Sequence, residues 1–390
     1  MRRSKRSLLL LMSGLAALSL TLASAGSFGV VHASAANGSP IPDDGHVSAK
    51  FATQPGVNGF RTLNTIPWWG SSFTFNGQTF RFDMVGHSPD TNSSVTIPTV
   101  VIPMKFVFSP ASNFGGGNFS DVRDPTTIDP ATGLNSIQGT LASPMFHAAA
   151  YPDGVGTVQF GDAIQRATFA KTGGNGYHVL LGTPSVFPVQ TINVPANVAD
   201  VHAISARIDS TWFGDRLGEL LNSLHISPQT LPIFVTYDTV LFQGHDKAAC
   251  CIVGFHGAKT ALRGNGAQGV QTFIFEAFIS PGIFANPSFV DVLAFSHEVA
   301  EWMNDPFVDN AVPPWLALGP APFCQGNLET GDVIEELDNA AFLVPLNGVT
   351  FHVQTEALLP WFERQSPSTA VAGAYSYPNT AIATTFAQSC

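Results

Sequence analysis

Residues 288–306 read SFVDVLAFSHEVAEWMNDP, and the predicted fold of the second half of the chain rests on them. Apolar residues recur at helical spacing, and Ser288 with Asp291 three residues later resembles a capping box. Pro306 cannot continue a helix, because its ring removes a backbone donor and clashes with the preceding turn. The stretch therefore predicts a helix from Ser288 to Asp305.

This helix carries side chains suited to metal chemistry. His297 and Glu301 stand at positions i and i+4, so both project from one helical face. The pattern begins like the zinc-peptidase signature H-E-x-x-H, with Glu301 in place of the second histidine. Glu298 stands where such enzymes have their general base, a carboxylate that takes a proton from a water whose pKa the cation lowers. We therefore expect His297 and Glu301 to be ligands and Glu298 to be catalytic.

A third ligand is expected from the segment NLETGDVIEEL at residues 327–337. Glu329 is the predicted ligand and Asp332 the alternate. One imidazole with two carboxylates is richer in oxygen than usual zinc sites. We expect a divalent metal, with zinc first and manganese, iron(II) or calcium as alternatives, and calcium would favour a structural site.

The acidic face of the helix has a second explanation, an ordinary charged stripe in contact with water. The chain has only 12% charged residues, so an acidic face is unusual for its composition. Like charges on one helical face repel, and a cation between them would relieve that repulsion. A solvated stripe would instead leave Glu301 and Glu329 pointing to water and far apart.

His256, in CCIVGFHGA at residues 250–258, is a further candidate. It follows two adjacent cysteines and lies between predicted strands. We expect a hydrogen-bonded loop histidine there, with a spare metal ligand or an oxyanion donor as the alternative.

The N-terminus predicts export. A basic segment followed by the apolar run Leu8 to Ala23 and small-residue cleavage sites is typical of a signal peptide, assigned to residues 1–35. Residues 36–50 are predicted to be a mobile tail, and the location to be secreted or periplasmic. Without the four basic side chains of residues 1–35 the formal charge changes from -11 to -15. This argues against nucleic acid or an anionic membrane as partner, and no later segment is apolar enough to cross a bilayer.

The remaining chain predicts an α+β protein with a β-rich domain at residues 51–198 and a zincin-like domain at residues 199–390. FTFNGQTFRF predicts a hairpin that turns at Asn76-Gly77, and FLVPLNGVTFHVQ predicts another at Asn347-Gly348. Pro98 and Pro103 predict that the strand in VTIPTVVIPMKFVF lies at a sheet edge. One helix is predicted around GDAIQRATFAK and another with Ser210 as its cap. LPIFVTYDTVLF predicts a single buried strand, and QTFIFEAFIS predicts another strand.

The chain has four cysteines, Cys250, Cys251, Cys324 and Cys390. In an exported protein an even number favours two disulfides. Because adjacent cysteines rarely bond to each other, we expect Cys250 and Cys251 to pair with Cys324 and Cys390, in either order.

The order of these features resembles the exordium (phosphate-induced) family and, more closely, exported bacterial proteins with an H-E-x-x-E helix. The matching positions are Cys251, His256, Ser296-His297-Glu298, Ala300-Glu301, Asp305-Pro306, Trp315, Glu329 and Asp332. The resemblance covers about residues 245–335. It implies an exported or wall-associated protein with a zincin-like metal helix, and Cys324 departs from it by preceding the E-x-x-D segment.

These observations predict an exported metal-dependent hydrolase, foremost a peptidase, acting on a peptide or a cell-wall polymer. The alternative is a non-enzymatic cell-wall or carbohydrate-binding protein with a structural cation, which the aromatic-rich first half of the chain would suit.

Overall fold

The computed structural model describes residues 64–119, 121–130, 132–262, 268–318, 322–386 and 390. The predicted signal peptide and tail lie outside these residues. The described chain combines helices and strands with strands in the majority, which confirms the α+β class. The zincin-like assignment stays a prediction. Among the described helices, none has the length and apolarity needed to span a bilayer.

The first half of the described chain is mostly short strands. Its strands are β1 (Trp68–Phe75), β2 (Gln78–Val85), β3 (Ser94–Ile97), β4 (Thr99–Phe108), β5 (Val122–Arg123), β6 (Ala149–Tyr151), β7 (Gly156–Val158), β8 (His178–Leu181), β9 (Ser185–Val186), β10 (Gln190–Val194) and β11 (Ala199–Val201). Its helices are α1 (Ser136–Ala142) and α2 (Phe160–Thr168). The position of α2 confirms the helix predicted around GDAIQRATFAK.

The second half contains longer strands and the helix that carries the candidate site. Its strands are β12 (Ala206–Asp209), β13 (Leu231–Tyr237), β14 (Thr239–Phe242), β15 (Cys250–Ile252), β16 (Gly254–Leu262), β17 (Gln268–Phe278), β18 (Ala311–Ala317), β19 (Phe323–Asn327), β20 (Ala341–Leu346), β21 (Val349–Gln354), β22 (Glu356–Ala357) and β23 (Ser376–Tyr377). Its helices are α3 (Ser210–Ser223), α4 (Leu293–Asn304) and α5 (Leu359–Phe362). The strand predicted in QTFIFEAFIS is confirmed as part of β17.

A mixed sheet of seven strands organises the molecule, with the order β10-β4-β13-β17-β16 and with β5 and β9 also paired to β4. Strands β10, β4, β13 and β17 are parallel neighbours, and β16 is antiparallel to β17 at the edge. Strands β4 and β13 lie on either side of the predicted boundary between residues 198 and 199, so both halves of the chain share this sheet.

Side chains alternate between two separate cores on the faces of this sheet, as the period of a β-strand requires. On one face, Phe234, Phe273 and Phe275 pack with Phe213 of α3. On the other, Ile233, Val235 and Ile274 pack with Phe295, Val299 and Trp302 of α4. Both faces are covered, which is usual for a sheet with a parallel centre.

Strand β4 is interior, so the prediction of an edge strand is wrong. β13 pairs with it on one side, through Pro103 opposite Val235. On the other side β9 pairs with Val100 and Val101, and β10 pairs from Met104 onward. Pro103 therefore lies between two short partner strands, where its missing N–H is tolerated.

Several predicted boundaries also change. Helix α4 begins at Leu293 rather than Ser288, because Asp291 has a φ of 47° and forms a β-bridge with Ile279. Asp209, not Ser210, caps α3 by accepting hydrogen bonds from the backbone N–H groups of Thr211 and Trp212. The strand predicted over residues 231–242 is divided at Asp238 into β13 and β14.

Both predicted Asn-Gly hairpins are confirmed. β1 pairs antiparallel with β2 across Asn76-Gly77, and β20 pairs antiparallel with β21 across Asn347-Gly348. All four turn residues have positive φ, from 48° to 85°, as a type I′ turn requires.

The predicted disulfide pairing is wrong, because Cys250 bonds to Cys251 and Cys324 bonds to Cys390. The Cys250–Cys251 peptide bond is cis, and the two Cα atoms are 3.0 Å apart, so the adjacent side chains meet on one side of the backbone. The Cα atoms of Cys324 and Cys390 are 5.9 Å apart, a usual spacing for a disulfide.

Candidate metal centre

Helix α4 is enclosed on all sides. It packs against β16, β17, β21 and α2, and each of its residues is buried. The side chains of His297, Glu298 and Glu301 have no exposed area. The explanation of this acidic face as a solvated stripe is therefore wrong.

Two glycines allow the neighbouring segments to approach the polar face of α4. A Cβ atom at Gly254 of β16 would lie only 2.8 Å from Cγ of Glu298. A Cβ atom at Gly331, in the loop before β20, would collide with the ring of His297. Side chains at these two positions would push β16 and the loop away from the helix, so the glycines fix the spacing of the centre.

The loop and β21 orient the His297 ring. Its Nδ1 lies 3.2 Å from Oε1 of Gln354, and Gln354 Nε2 donates to the carbonyl oxygen of Gly331 at 2.8 Å. Because the amide oxygen of Gln354 can only accept, Nδ1 of His297 carries the ring hydrogen. Nε2, on the side of the carboxylates, is then the ring nitrogen whose electron pair can bind a cation.

Three carboxylates surround that nitrogen. Nε2 of His297 lies 3.1 Å from Oε1 of Glu301, 3.6 Å from Oδ1 of Asp332 and 3.9 Å from Oε1 of Glu298. Oε1 of Glu301 also accepts the backbone N–H of Gly331 at 3.0 Å, and Oδ2 of Asp332 accepts from Gln325 at 2.8 Å. These contacts hold the carboxylates with one oxygen each directed to the histidine.

His256 belongs to the same buried cluster. It lies on β16, and alternation along the strand directs Phe255 to the α3 face and His256 to the α4 face. Its Nδ1 is 3.2 Å from Oε2 of Glu298 and 3.6 Å from Oε2 of Glu301. The expectation of an ordinary loop histidine is wrong, and the alternative of a spare ligand gains support.

Two further glutamates line the cluster. Glu329 is fully buried, and neither of its carboxylate oxygens has a hydrogen-bond partner. Burial raises the pKa of Glu329 and the nearby Glu301 carboxylate raises it further, but the role of Glu329 as a ligand stays a prediction. Glu356 of β22 is also fully buried and accepts a hydrogen bond from Thr330 at 3.2 Å.

Burial makes these carboxylates hard to ionise without a cation. It is the first cause that raises the pKa of Glu298, Glu301, Glu329 and Glu356 well above the usual glutamate value. Neighbouring carboxylates raise each of these pKa values further, and His297 lowers that of Glu356. Burial, followed by the nearby His297, lowers the pKa of His256 to about 3, so the His256 ring is neutral.

The donor atoms fit a divalent cation. Two groups have ligand atoms that all lie within 4.8 Å of one another: His297 with Glu301 and Asp332, and His256 with Glu298 and Glu301. Buried atoms without a hydrogen-bond partner include Nε2 of His297, Oε1 of Glu298 and Oε2 of Glu301. Unpartnered buried polar atoms are costly, and a cation among them would remove that cost.

A comparison of the chain with protein-family models, with curated proteins and with solved structures finds no match. The assignment of the centre therefore rests on its own geometry, and the resemblance to the exordium family stays a prediction.

Sequence reasoning missed Glu356 and Gln354 as members of the centre. Neither stands at a ligand spacing from the motif, since β21 and β22 bring them to α4 only through tertiary packing. The one available signal was the rarity of charge, because a lone glutamate in TEALLPWF at residues 355–362 is unusual in so apolar a segment.

Proposed function

We propose that this chain is an exported metal-dependent hydrolase in which His297, Glu301 and Asp332 hold a divalent cation and Glu298 is the general base. The observation that carries the proposal is the buried group formed by one imidazole and two carboxylates, with ligand atoms within 4.8 Å of one another. Glu329, beside Glu301, is a further candidate ligand.

The surrounding residues would each perform a definite task in such a reaction. Gln354 fixes the tautomer of His297, and the backbone N–H of Gly331 orients Glu301. Oε1 of Glu298 has no hydrogen-bond partner and lies 3.9 Å from Nε2 of His297, so it would be within reach of a water bound to a cation that His297 holds and could take a proton from it. A bound divalent cation would lower the pKa of that water.

The substrate is proposed to be a peptide or a cell-wall polymer. The side chain of Asp332 keeps 10% of its surface exposed, whereas those of Glu298, Glu301 and His297 keep none. A substrate would therefore approach from the Asp332 side.

The burial of the centre favours a second candidate function, a non-enzymatic cell-wall or carbohydrate-binding protein with a structural cation. A cation enclosed by side chains without exposed area would stabilise the fold, because unfolding would release it. In this case cation removal would destabilise the protein and no hydrolysis would occur.

Three measurements on the purified chain test the proposal: metal content, melting temperature with and without chelator, and cation-dependent hydrolysis of an unstructured protein and of peptidoglycan. We expect at least one cation per chain, a lower melting temperature with chelator, and hydrolysis that Glu298→Gln abolishes. Glu219→Gln, at an exposed position of α3, is the matched control and should remain active. A chain without cation and without a chelator effect would contradict the site, whereas an active Glu298→Gln would contradict only the catalytic role.

A further inference from the structure

The two groups of candidate ligands share one carboxylate. Glu301 belongs both to the group with His297 and Asp332 and to the group with His256 and Glu298. Its two oxygens are directed to different histidines, with Oε1 at 3.1 Å from Nε2 of His297 and Oε2 at 3.6 Å from Nδ1 of His256.

Glu298 is placed in the same way. Its Oε2 lies 3.2 Å from Nδ1 of His256, and its Oε1 lies 3.9 Å from Nε2 of His297. The histidines are therefore joined by two carboxylates, each with one oxygen on either side. Helical di-iron and di-manganese proteins use inward-facing carboxylates of this kind to hold buried pairs of cations.

One cation does not fit all of these ligands. Two ring nitrogens on one cation, each at about 2.1 Å, would be at most about 4.2 Å apart. In the part of the chain that the structure describes, no group of ligand atoms within 4.8 Å of one another contains both His256 and His297. The described residues therefore offer no single position at which both histidines bind one cation together with a third ligand.

We propose that the centre binds two divalent cations, one at His297, Glu301 and Asp332 and a second at His256, Glu298 and Glu301, with Glu301 bridging the pair. This inference rests on the first cation site of the proposed function and adds the second. Cations bridged by a carboxylate in two-metal sites are about 3.5–4 Å apart. The imidazole on each side favours manganese, iron(II) or zinc over calcium.

Two observations beyond the acidic character of the cluster support the second site. Oε2 of Glu301 is fully buried and has no hydrogen-bond partner, although it lies 3.6 Å from Nδ1 of His256. In addition, no lysine or arginine of the described residues forms an ion pair with Glu298, Glu301, Glu329 or Glu356. A single divalent cation would balance at most two of these carboxylates in their ionised form.

The second cation changes the role of Glu298. A carboxylate that binds the second cation through Oε2 holds that cation in place, and only its Oε1 is left to take a proton. The two arrangements predict different effects of Glu298→Gln, because loss of a base alone leaves the metal content unchanged, whereas loss of a ligand of the second cation lowers it.

Titration of the full, chelator-stripped chain with Mn²⁺ tests this inference. We expect two Mn²⁺ ions per chain, and an electron paramagnetic resonance spectrum in which the six-line signal of isolated Mn²⁺ is replaced by that of a coupled pair as the second ion binds. One ion per chain, with an isolated signal, would overturn the second site and leave the proposed function standing. Absence of binding would overturn both.

Variants assign the ions to their ligands. We expect His256→Ala and Glu298→Gln each to reduce the content from two Mn²⁺ ions to one and to restore the isolated signal. His147→Ala removes an exposed histidine and should keep two ions. If His256→Ala does not fold, His256→Asn, which retains a polar side chain, replaces it in this measurement. The assignment of the second cation to His256 and Glu298 would be overturned if two coupled ions remained in folded Glu298→Gln and also in a folded His256 variant.

Discussion

At the residue scale, cation binding at the proposed site depends on the orientation of a single ring, that of His297. His297 is buried beside carboxylates, and only its contact with Gln354 determines which nitrogen carries the hydrogen. The sequence predicted His297 as a ligand from its place in the motif. It could not predict Gln354, because this residue is 57 positions away and is brought to the ring by β21.

Replacement of Gln354 with leucine tests this orientation. The variant should bind Mn²⁺ about 10–100-fold more weakly, because partners that orient a metal-binding histidine contribute on this order to affinity. Calorimetric titration gives the affinity. Gln190→Leu, which removes an amide that contacts only the nearby Pro188 carbonyl, should bind as the wild type does. Equal affinities of the Gln354→Leu variant and the wild type would show that the ring does not need this contact.

Glu276 is another buried carboxylate, and its ionisation should affect stability. It lies on β17, and one of its oxygens accepts a hydrogen bond from Thr140 at 2.6 Å. Burial raises its pKa from 4.5 to about 8, so the folded chain holds this proton more tightly than the unfolded chain does. The free energy of unfolding should therefore fall as the pH rises from about 4.5 to about 8. Between these two pKa values the loss is roughly 1.4 kcal/mol for each pH unit.

The variant Glu276→Gln removes this titration while keeping an oxygen for Thr140. We expect it to gain stability relative to the wild type at pH 8 and to gain little at pH 5, as measured by chemical denaturation. Glu219→Gln on the surface of α3 should change neither value. An identical pH dependence of the Glu276→Gln variant and the wild type would contradict the raised pKa.

At the element scale, the centre is the meeting of α4 with β16 and the loop that contains Gly331. The helix was predictable from the spacing of its apolar residues and from the proline that ends it. Its start at Leu293 was not predictable, because Asp291 takes part in a β-bridge instead of the helix. His256 was named from the sequence as a weaker candidate. Its place in the centre follows from strand alternation, which a segment expected to be a loop does not display.

The spacing between α4 and β16 can be tested with Gly254→Ala. The added Cβ atom would lie 2.8 Å from Cγ of Glu298, so the Glu298 side chain or one of the two elements must shift. We expect a loss of about 1–3 kcal/mol in unfolding free energy, as for other overpacked cores, together with weaker Mn²⁺ binding. In Gly326→Ala the nearest atom to the new Cβ is a carbonyl oxygen at 3.5 Å, so this control should be neutral. A neutral Gly254→Ala would contradict the close approach.

At the scale of the whole molecule, the two halves of the chain share a sheet, and α2 of the first half packs against α4 of the second. The α+β class and both Asn-Gly hairpins were predictable, because they depend on local patterns. The interior position of β4 was not, because it depends on which strands the rest of the fold places beside it. The bond between Cys250 and Cys251 was not expected either, because adjacent cysteines rarely bond to each other.

Because the centre joins elements that are distant in sequence, cation binding should stabilise the entire fold. At a free Mn²⁺ concentration 1,000 times the dissociation constant, one site adds about 4 kcal/mol. Calorimetry should show a melting temperature several degrees higher with Mn²⁺ than with chelator. His297→Ala should lose most of this increase, and the exposed control His147→Ala should retain it. An increase of equal size in His297→Ala would place the responsible site elsewhere.

Anomalous diffraction from a crystal of the chain grown with Mn²⁺ tests the central claim most directly. We expect a strong anomalous peak enclosed by His297, Glu301 and Asp332, at about 2.0–2.4 Å from Nε2 of His297. A map with no peak among the buried carboxylates of α4, or with peaks only at the protein surface, would contradict it.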